Sequence, residues 1–184
     1  MLKPLFNSGR DHYWGGLNAQ VELMQYGGYQ CRHSGVSWPV VIQMKEFFGN
    51  DLRFVFRHFP LPNIHHLALE AALAAEAAGL QGRFWEMHTK IMNNQFHLNR
   101  ASLNVLAEET GLDMGEFISD CKRRHLFKKI TNDFESGIHS GVNGTPTFFI
   151  NGYMYNGFDD FNSLYKVCRF TTDYRRKLLY NMPE

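Results

Sequence analysis

The chain has 184 residues, enough for one domain with an inserted subdomain, and 44% of them are hydrophobic and 15% aromatic, which supplies a substantial core. A formal net charge of +1 creates no global field towards nucleic acid or a membrane surface. Three widely spaced cysteines do not make a disulfide scaffold. No apolar run approaches a membrane span and the first ten residues lack the core of a signal peptide, so a cytoplasmic location is expected.

Residues 1–19 are polar and turn-rich, with Gly15 and Gly16 marking a loop. Residues 21–26 form an apolar run that reads as a buried strand, and residues 38–48 carry the 3.6-residue period of a helix ending near Gly49. Pro39 is placed in the first turns of that helix, where a missing N–H is best tolerated. Residues 51–57 crowd Phe54, Val55 and Phe56 as in a second buried strand. Strand, helix, strand in this order predicts a parallel pair with a right-handed crossover.

After Pro60 and Pro62 no strand signal interrupts roughly eighty residues. Asn63 is the expected N-cap of a helix over 64–78, closed by Gly79. Further helices are expected over 81–94, with Phe84, Trp85, His88 and Ile91 as its apolar face, and over 99–110. Asp113 with Glu116 resembles a capping box opening a fourth, and 122–140 continues it or forms a fifth. The basic run Lys122, Arg123, Arg124, Lys128, Lys129 is interleaved with apolar residues and reads as a solvated helix face rather than a polyanion site. Two apolar runs flanking Asn151-Gly152 then give a hairpin signal, and a last amphipathic helix is expected from Asp159 to Tyr180, followed by a frayed tail.

Between the first strand and helix lies the stretch Tyr26-Gly27-Gly28-Tyr29-Gln30-Cys31-Arg32-His33-Ser34-Gly35. A cysteine on a strand-to-helix turn meets backbone N–H groups without partners, whose partial positive charge favours thiolate over thiol. Arg32 and His33 beside it add two cationic groups, which read otherwise as a solvated charge and a surface imidazole. A second cysteine three residues on would make a dithiol motif; Ser34 stands there instead. Cys121 and Cys168 fall in helical patterns and read as small core residues. His58, His65 and His66 lack a recognised zinc spacing, and no metal site is assigned.

These segments together resemble the DsbA family of thioredoxin-fold proteins, in its cytoplasmic branch. The resemblance is carried by Tyr26-Gly27, Tyr29-Gln30-Cys31, Arg57-His58-Phe59-Pro60-Leu61, Glu70-Ala71-Ala72, Gln81 through His88, Gly111-Leu112-Asp113 and Ser140 through Gly152, in order over most of the chain. It implies an α/β thioredoxin fold over 20–62 and 141–184, a helical subdomain inserted over 63–140, and an N-terminal extension over 1–19. It also implies that Cys31 is the nucleophile, that Pro146 is cis beside the sulfur, and that Thr145 offers backbone groups to an extended substrate. Where such relatives carry a glutamate and an aspartate this chain has Gln25 and Gly28, so acidic groups that relay a proton near the sulfur are absent.

Serine cannot form a disulfide, so the motif cannot hold one and pass it on; its hydroxyl can donate a hydrogen bond to the Cys31 sulfur. The expected function is monothiol exchange with protein or small-molecule thiols and disulfides, Arg32, His33 and Ser34 tuning Cys31 and Thr145 with Pro146 docking substrate. No cofactor is required, and glutathione can serve as the resolving thiol. The alternatives are a glutathione-dependent transferase or isomerase on the same fold, and a non-catalytic peptide-binding module.

Overall fold

The computed structural model describes residues 1–157 and 160–180, with side chains described through residue 171. Five strands, β1 (His12–Trp14), β2 (Val21–Gly27), β3 (Leu52–His58), β4 (Thr147–Ile150) and β5 (Tyr153–Met154), form one sheet in the order β1-β3-β2-β4-β5. β2 and β3 are parallel and joined by α1 (Arg32–Phe48), whereas β4 runs antiparallel to β2 and turns at Asn151-Gly152 into β5. Both hairpin residues take positive φ, 49° and 82°, the conformation that Asn-Gly turns favour. Between β3 and β4 come α2 (Ala68–Leu80), α3 (Phe84–Asn93), α4 (Arg100–Glu109), α5 (Met114–Asp120) and α6 (Arg124–His139). This is a thioredoxin fold carrying a helical insert. The last helix, α7, is Phe161–Tyr180; Asp159, expected as its start, and residues 181–184 lie outside the described residues.

The strands read as unbroken apolar runs because both sheet faces are covered. Side chains alternate across the sheet: Val21, Leu23, Leu52, Phe54, Phe56, Phe148 and Ile150 join the larger core with α1, α3 and Leu164 of α7. Met24, Tyr26, Val55 and Phe149 face the other way, where Leu2, Phe59 and Val142 complete a second core and Phe6 and Phe134 pack against it. The first nineteen residues are therefore built into the sheet. β1 pairs antiparallel with β3, and Leu2 N–H bonds to the Gly152 carbonyl at 2.9 Å.

Buried charge holds this segment. Arg57, fully buried on β3, grips Asp11 through Nε and Nη2, each at 2.9 Å, and also donates to the Pro4 and Leu5 carbonyls and to the Tyr26 hydroxyl. His12 and His58 both bond to Glu76 of α2, at 3.0 and 2.8 Å. Burial opposes the charge on Glu76, but its bonds to His12 and His58 outweigh burial and hold its carboxyl well below the usual range. His58 is pushed down by burial, so a neutral ring donates Nε2–H to an ionised carboxylate.

Three local expectations give way to longer-range contacts. α1 starts at Arg32 rather than Trp38, so Pro39 lies inside it and the Gly35 carbonyl lacks its usual donor. Residues 62–64 and 66–67 form turns, and α2 begins at Ala68 rather than after Asn63, because the Leu67 N–H is taken by Gln30 Oε1 at 2.6 Å. Asp113 caps α5 through the Glu116 N–H, whereas the reciprocal capping box is the Asn99–Ser102 pair of α4.

His88 of α3 is fully buried among Phe56, Trp38 and Trp85, with Nδ1 at 2.9 Å from the Tyr29 hydroxyl. Burial pushes its ring well below the usual histidine range, and any proton on nearby His58 or His12 pushes it the same way. The unfolded chain therefore takes up a proton near pH 6.5 that the folded ring refuses. Stability is expected to be full above that pH and to decline as pH falls below it. Denaturant titrations at pH 7 and 5.5 check this, and His88→Gln is expected to flatten the decline.

Candidate active site

Parallel pairing brings Gly27 beside His58 at the carboxyl ends of β2 and β3, where α/β sheets commonly place their ligands. From there residues 28–31 make one tight turn, with the Cys31 N–H bonded to the Gly28 carbonyl at 3.0 Å. Cys31 is the N-cap of α1, and its carbonyl accepts the first helical bond from Gly35 N–H at 3.1 Å. The first turn of α1 contains no acidic residue, so its unpartnered N–H groups face no competing negative charge.

The Cys31 side chain is 6% exposed, and its thiol donates to the Thr145 carbonyl at 3.0 Å across 114 residues of sequence. The Thr145–Pro146 peptide is cis. Only a protonated thiol can make this bond, so deprotonation frees the Thr145 carbonyl to accept from another donor. Cys31, Thr145 and Pro146 are thus gathered into one place.

The remaining predicted residues are placed differently. Ser34 is fully buried one turn along α1, but its hydroxyl accepts from the Gly28 N–H at 3.3 Å, and the sulfur bonds to Thr145 instead. Arg32 and His33 are exposed. Residues one and two apart on a helix diverge in direction, so proximity in sequence does not aim either side chain at the sulfur.

Three glutamines, of which Gln95 carries no motif, complete the site. Gln95 Nε2 donates to the Tyr29 and Cys31 carbonyls at 2.7 and 3.0 Å, bracing the turn from the helical insert. Gly35 makes room for it, since a β-carbon there would sit 2.0 Å from Gln95 Oε1. Gln30 holds the loop before α2, as described above. Gln25, fully buried under the turn, donates to Ser37 Oγ at 3.0 Å while its Oε1 has no hydrogen-bond partner. A neutral amide thus occupies the position where the resemblance implies a carboxylate, and proton relay through residue 25 is closed.

His58 belongs to a buried group with Glu76 and Asp133 whose ligand atoms fall within 4.8 Å of one another, a group that includes neither His65 nor His66. Lys129 Nζ sits between the two carboxylates, 2.5 Å from Asp133 and 3.7 Å from Glu76, and supplies the cation there itself.

All three cysteines are thiols. Burial, aided by the Asp120 charge, pushes Cys121 up to about 11, and burial pushes Cys168 up to about 12. Both are protonated near neutral pH and poor nucleophiles. Limited iodoacetamide at pH 7.5 is therefore expected to label Cys31 first by at least about tenfold. Peptide mass mapping checks this, and comparable labelling of Cys121 or Cys168 would contradict it.

A family model described as thioredoxin matches residues 7–167. This chain belongs to the thioredoxin family. Among solved structures, this thioredoxin-family chain superimposes on a thioredoxin-like oxidoreductase from Silicibacter pomeroyi with a TM-score of 0.79 and 24% identity, covering 94% of this chain and 96% of that one. It superimposes on α-DsbA1 of Wolbachia pipientis with a TM-score of 0.80 and 21% identity, covering 95% and 97%. The DsbA-like arrangement of sheet and helical insert is therefore the fold of this protein. Among curated sequences it is 40% identical over 148 residues to the Na(+)/H(+) antiporter NhaA 1 of Salinispora arenicola, covering 80% of this chain but 22% of the antiporter. The antiporter NhaA 1 of Mycolicibacterium vanbaalenii is 34% identical over 169 residues, 91% of this chain and 27% of its own length. The chain spans about a quarter of the length of these relatives. Among the described residues no helix is long and apolar enough to cross a membrane.

Proposed function

We propose that this thioredoxin-family protein catalyses thiol–disulfide exchange through a single cysteine. The observation that carries the reading is the Cys31 thiol at the start of α1, bonded to the Thr145 carbonyl beside cis-Pro146, with a hydroxyl at position 34. The solved relatives of the same fold include a thioredoxin-like oxidoreductase, which supports the chemistry. Deprotonated Cys31 attacks one sulfur of a disulfide; a new S–S bond joins it to that sulfur, and the other sulfur leaves as a thiolate and takes a proton from water. An extended substrate donates a backbone N–H to the Thr145 carbonyl that the lost S–H has vacated. Ser34 cannot expel the product, so an external thiol such as glutathione attacks the substrate sulfur of the mixed disulfide, forming a glutathionyl–substrate disulfide and releasing Cys31 as the thiolate; a second glutathione then displaces the substrate thiol and leaves glutathione disulfide. No other cofactor is needed. Reliance on an external thiol suits a cytoplasmic location, where thiols are kept reduced.

Glutathione-dependent reduction of 2-hydroxyethyl disulfide tests the proposal. Turnover that disappears in Cys31→Ala supports it, and turnover unchanged by that substitution overturns it. The transferase alternative needs a hydroxyl that a bound glutathione sulfur can reach, but Ser34 is fully buried beneath the turn, where its hydroxyl accepts from the Gly28 N–H. Conjugation of glutathione to an electrophile that survives Cys31→Ala would favour that alternative.

A further inference from the structure

The helical insert reaches the reactive turn through Gln30, Tyr29 and Gln95. Gln30 Oε1 accepts the Leu67 N–H just ahead of α2. Tyr29 is buried, and its hydroxyl is fastened to His88 of α3, which fixes the residue from its side chain. Gln95 lies in a 3₁₀ turn (Gln95–His97) that follows α3, and its Nε2 donates to the Tyr29 carbonyl at 2.7 Å and to the Cys31 carbonyl at 3.0 Å. The Cys31 carbonyl also accepts from Gly35 N–H at 3.1 Å, so both of its lone pairs are used.

These bonds bear on the sulfur in two ways. Backbone carbonyls carry partial negative charge, which opposes a thiolate forming in the same turn, and the Gln95 amide dipole offsets it at both carbonyls. A glutamate of the same shape would present acceptors only. The bonds also fix the extended backbone of Cys31, with φ −77° and ψ 114°, at the start of α1. A rotation of its carbonyl would carry the sulfur away from the Thr145 carbonyl, 3.0 Å off, and from the N–H groups that open the helix. Gly35 provides the seat for the amide: a β-carbon there would sit 2.0 Å from Gln95 Oε1 and 2.6 Å from its Cδ. Alanine is the better helix former, yet at position 35 it would evict the glutamine.

Resting on the exchange reading, we propose that Gln95 is a positioning residue of the reaction: its carboxamide, seated on Gly35, holds the Cys31 backbone where the sulfur ionises and attacks. The helical insert thereby sets the reactivity of a cysteine carried by the sheet domain. Gln95 acts through backbone carbonyls, and Gly35 acts by leaving it room.

Alkylation of Cys31 by iodoacetamide, followed from pH 5 to 10 by peptide mass mapping, tests this in Gln95→Met, Gly35→Ala and the double variant. Circular dichroism confirms that each is folded, and turnover of 2-hydroxyethyl disulfide is measured alongside. Each single substitution is expected to slow alkylation and turnover about fivefold at pH 7.5, the worth of one lost hydrogen bond. The double variant is expected to fall no further, because both changes remove the same contact. The alkylation deficit is expected to narrow as pH rises and the thiol of every chain becomes ionised. A brace with no part in the reaction would lower the melting temperature and leave the alkylation profile in place, and that result overturns the inference. So do single variants that react at the natural rate, a deficit constant across the pH range, or a double variant slowed by the product of the singles. With turnover by the natural chain intact, each of these spares the exchange reading. No turnover by the natural chain overturns that reading and, with it, the role of Gln95 in the reaction.

Discussion

Replacing Ser34 by cysteine is expected to shorten the life of a mixed disulfide on Cys31 by at least about a thousandfold relative to millimolar external thiol. On the proposed mechanism, with Ser34 in place, the resolving thiol arrives from solution. A sulfur at position 34 would sit one turn along the same helix, at a β-carbon separation of about 5–6 Å, which nearly suits an S–S bond. Intramolecular attack of this kind carries effective molarities far above any cellular thiol concentration. The Ser34 side chain is buried against Gly28 N–H, so the new thiol replaces the hydroxyl within reach of the turn that holds Cys31. The adduct is formed with a labelled peptide, excess thiol is removed, and release is followed by mass spectrometry. Persistence of the adduct in Ser34→Cys to the same extent as in the natural chain would show that the two positions do not communicate.

The largest expected loss of stability comes from Arg57→Met. The substitution leaves Asp11 ionised, buried and without its bidentate partner, and strips donors from the Pro4 and Leu5 carbonyls and from Tyr26. Breaking a buried ion pair from one side costs about 3–5 kcal/mol. For a chain of this size that lowers the melting temperature by roughly 10 °C. Burial works against the Asp11 charge, but the Arg57 hydrogen bonds and charge outweigh it and hold its carboxyl below the usual range. Its contribution is therefore present above about pH 4 and is lost as pH falls further towards the folded value. Asp11→Asn is expected to remove that acid-dependent increment. Thermal melts of both variants from pH 7 to 3 measure these effects; a shift under about 2 °C in Arg57→Met would mean that the pair is not holding the N-terminal segment.

How far the sequence speaks depends on where the deciding contact lies. The strands at 21–26 and 51–57 are legible because each is covered on both faces, and the Asn151-Gly152 turn because its backbone conformation needs those residues. Cys31 is legible from the change of period around it, strand before and helix after. β1 is not, since three residues set among turn formers become a strand only by pairing with β3 and by holding Glu76 through His12. Asn63 is a sound N-cap by type, but the loop after it is claimed by Gln30, 37 residues back from Leu67. Gln95 carries no periodic or motif signal at all; the closest trace of it is Gly35, where a small residue inside a helix marks a close approach. Arg32 and His33 adjoin the sulfur in sequence, but both are exposed, and neighbouring helical positions diverge in direction.

The fastening of the first residues has a bearing on the order of events during synthesis. Lys3 exchanges hydrogen bonds with Ser140, 137 positions later, and Leu2 waits for Gly152 at the β4–β5 hairpin. A ribosome therefore exposes this segment long before the surfaces that receive it exist, and Leu2 and Phe6 spend that interval without the second core they finally cover. Closure of that face is a late, high-contact-order step, and the nascent chain is most open to chaperones until the hairpin emerges.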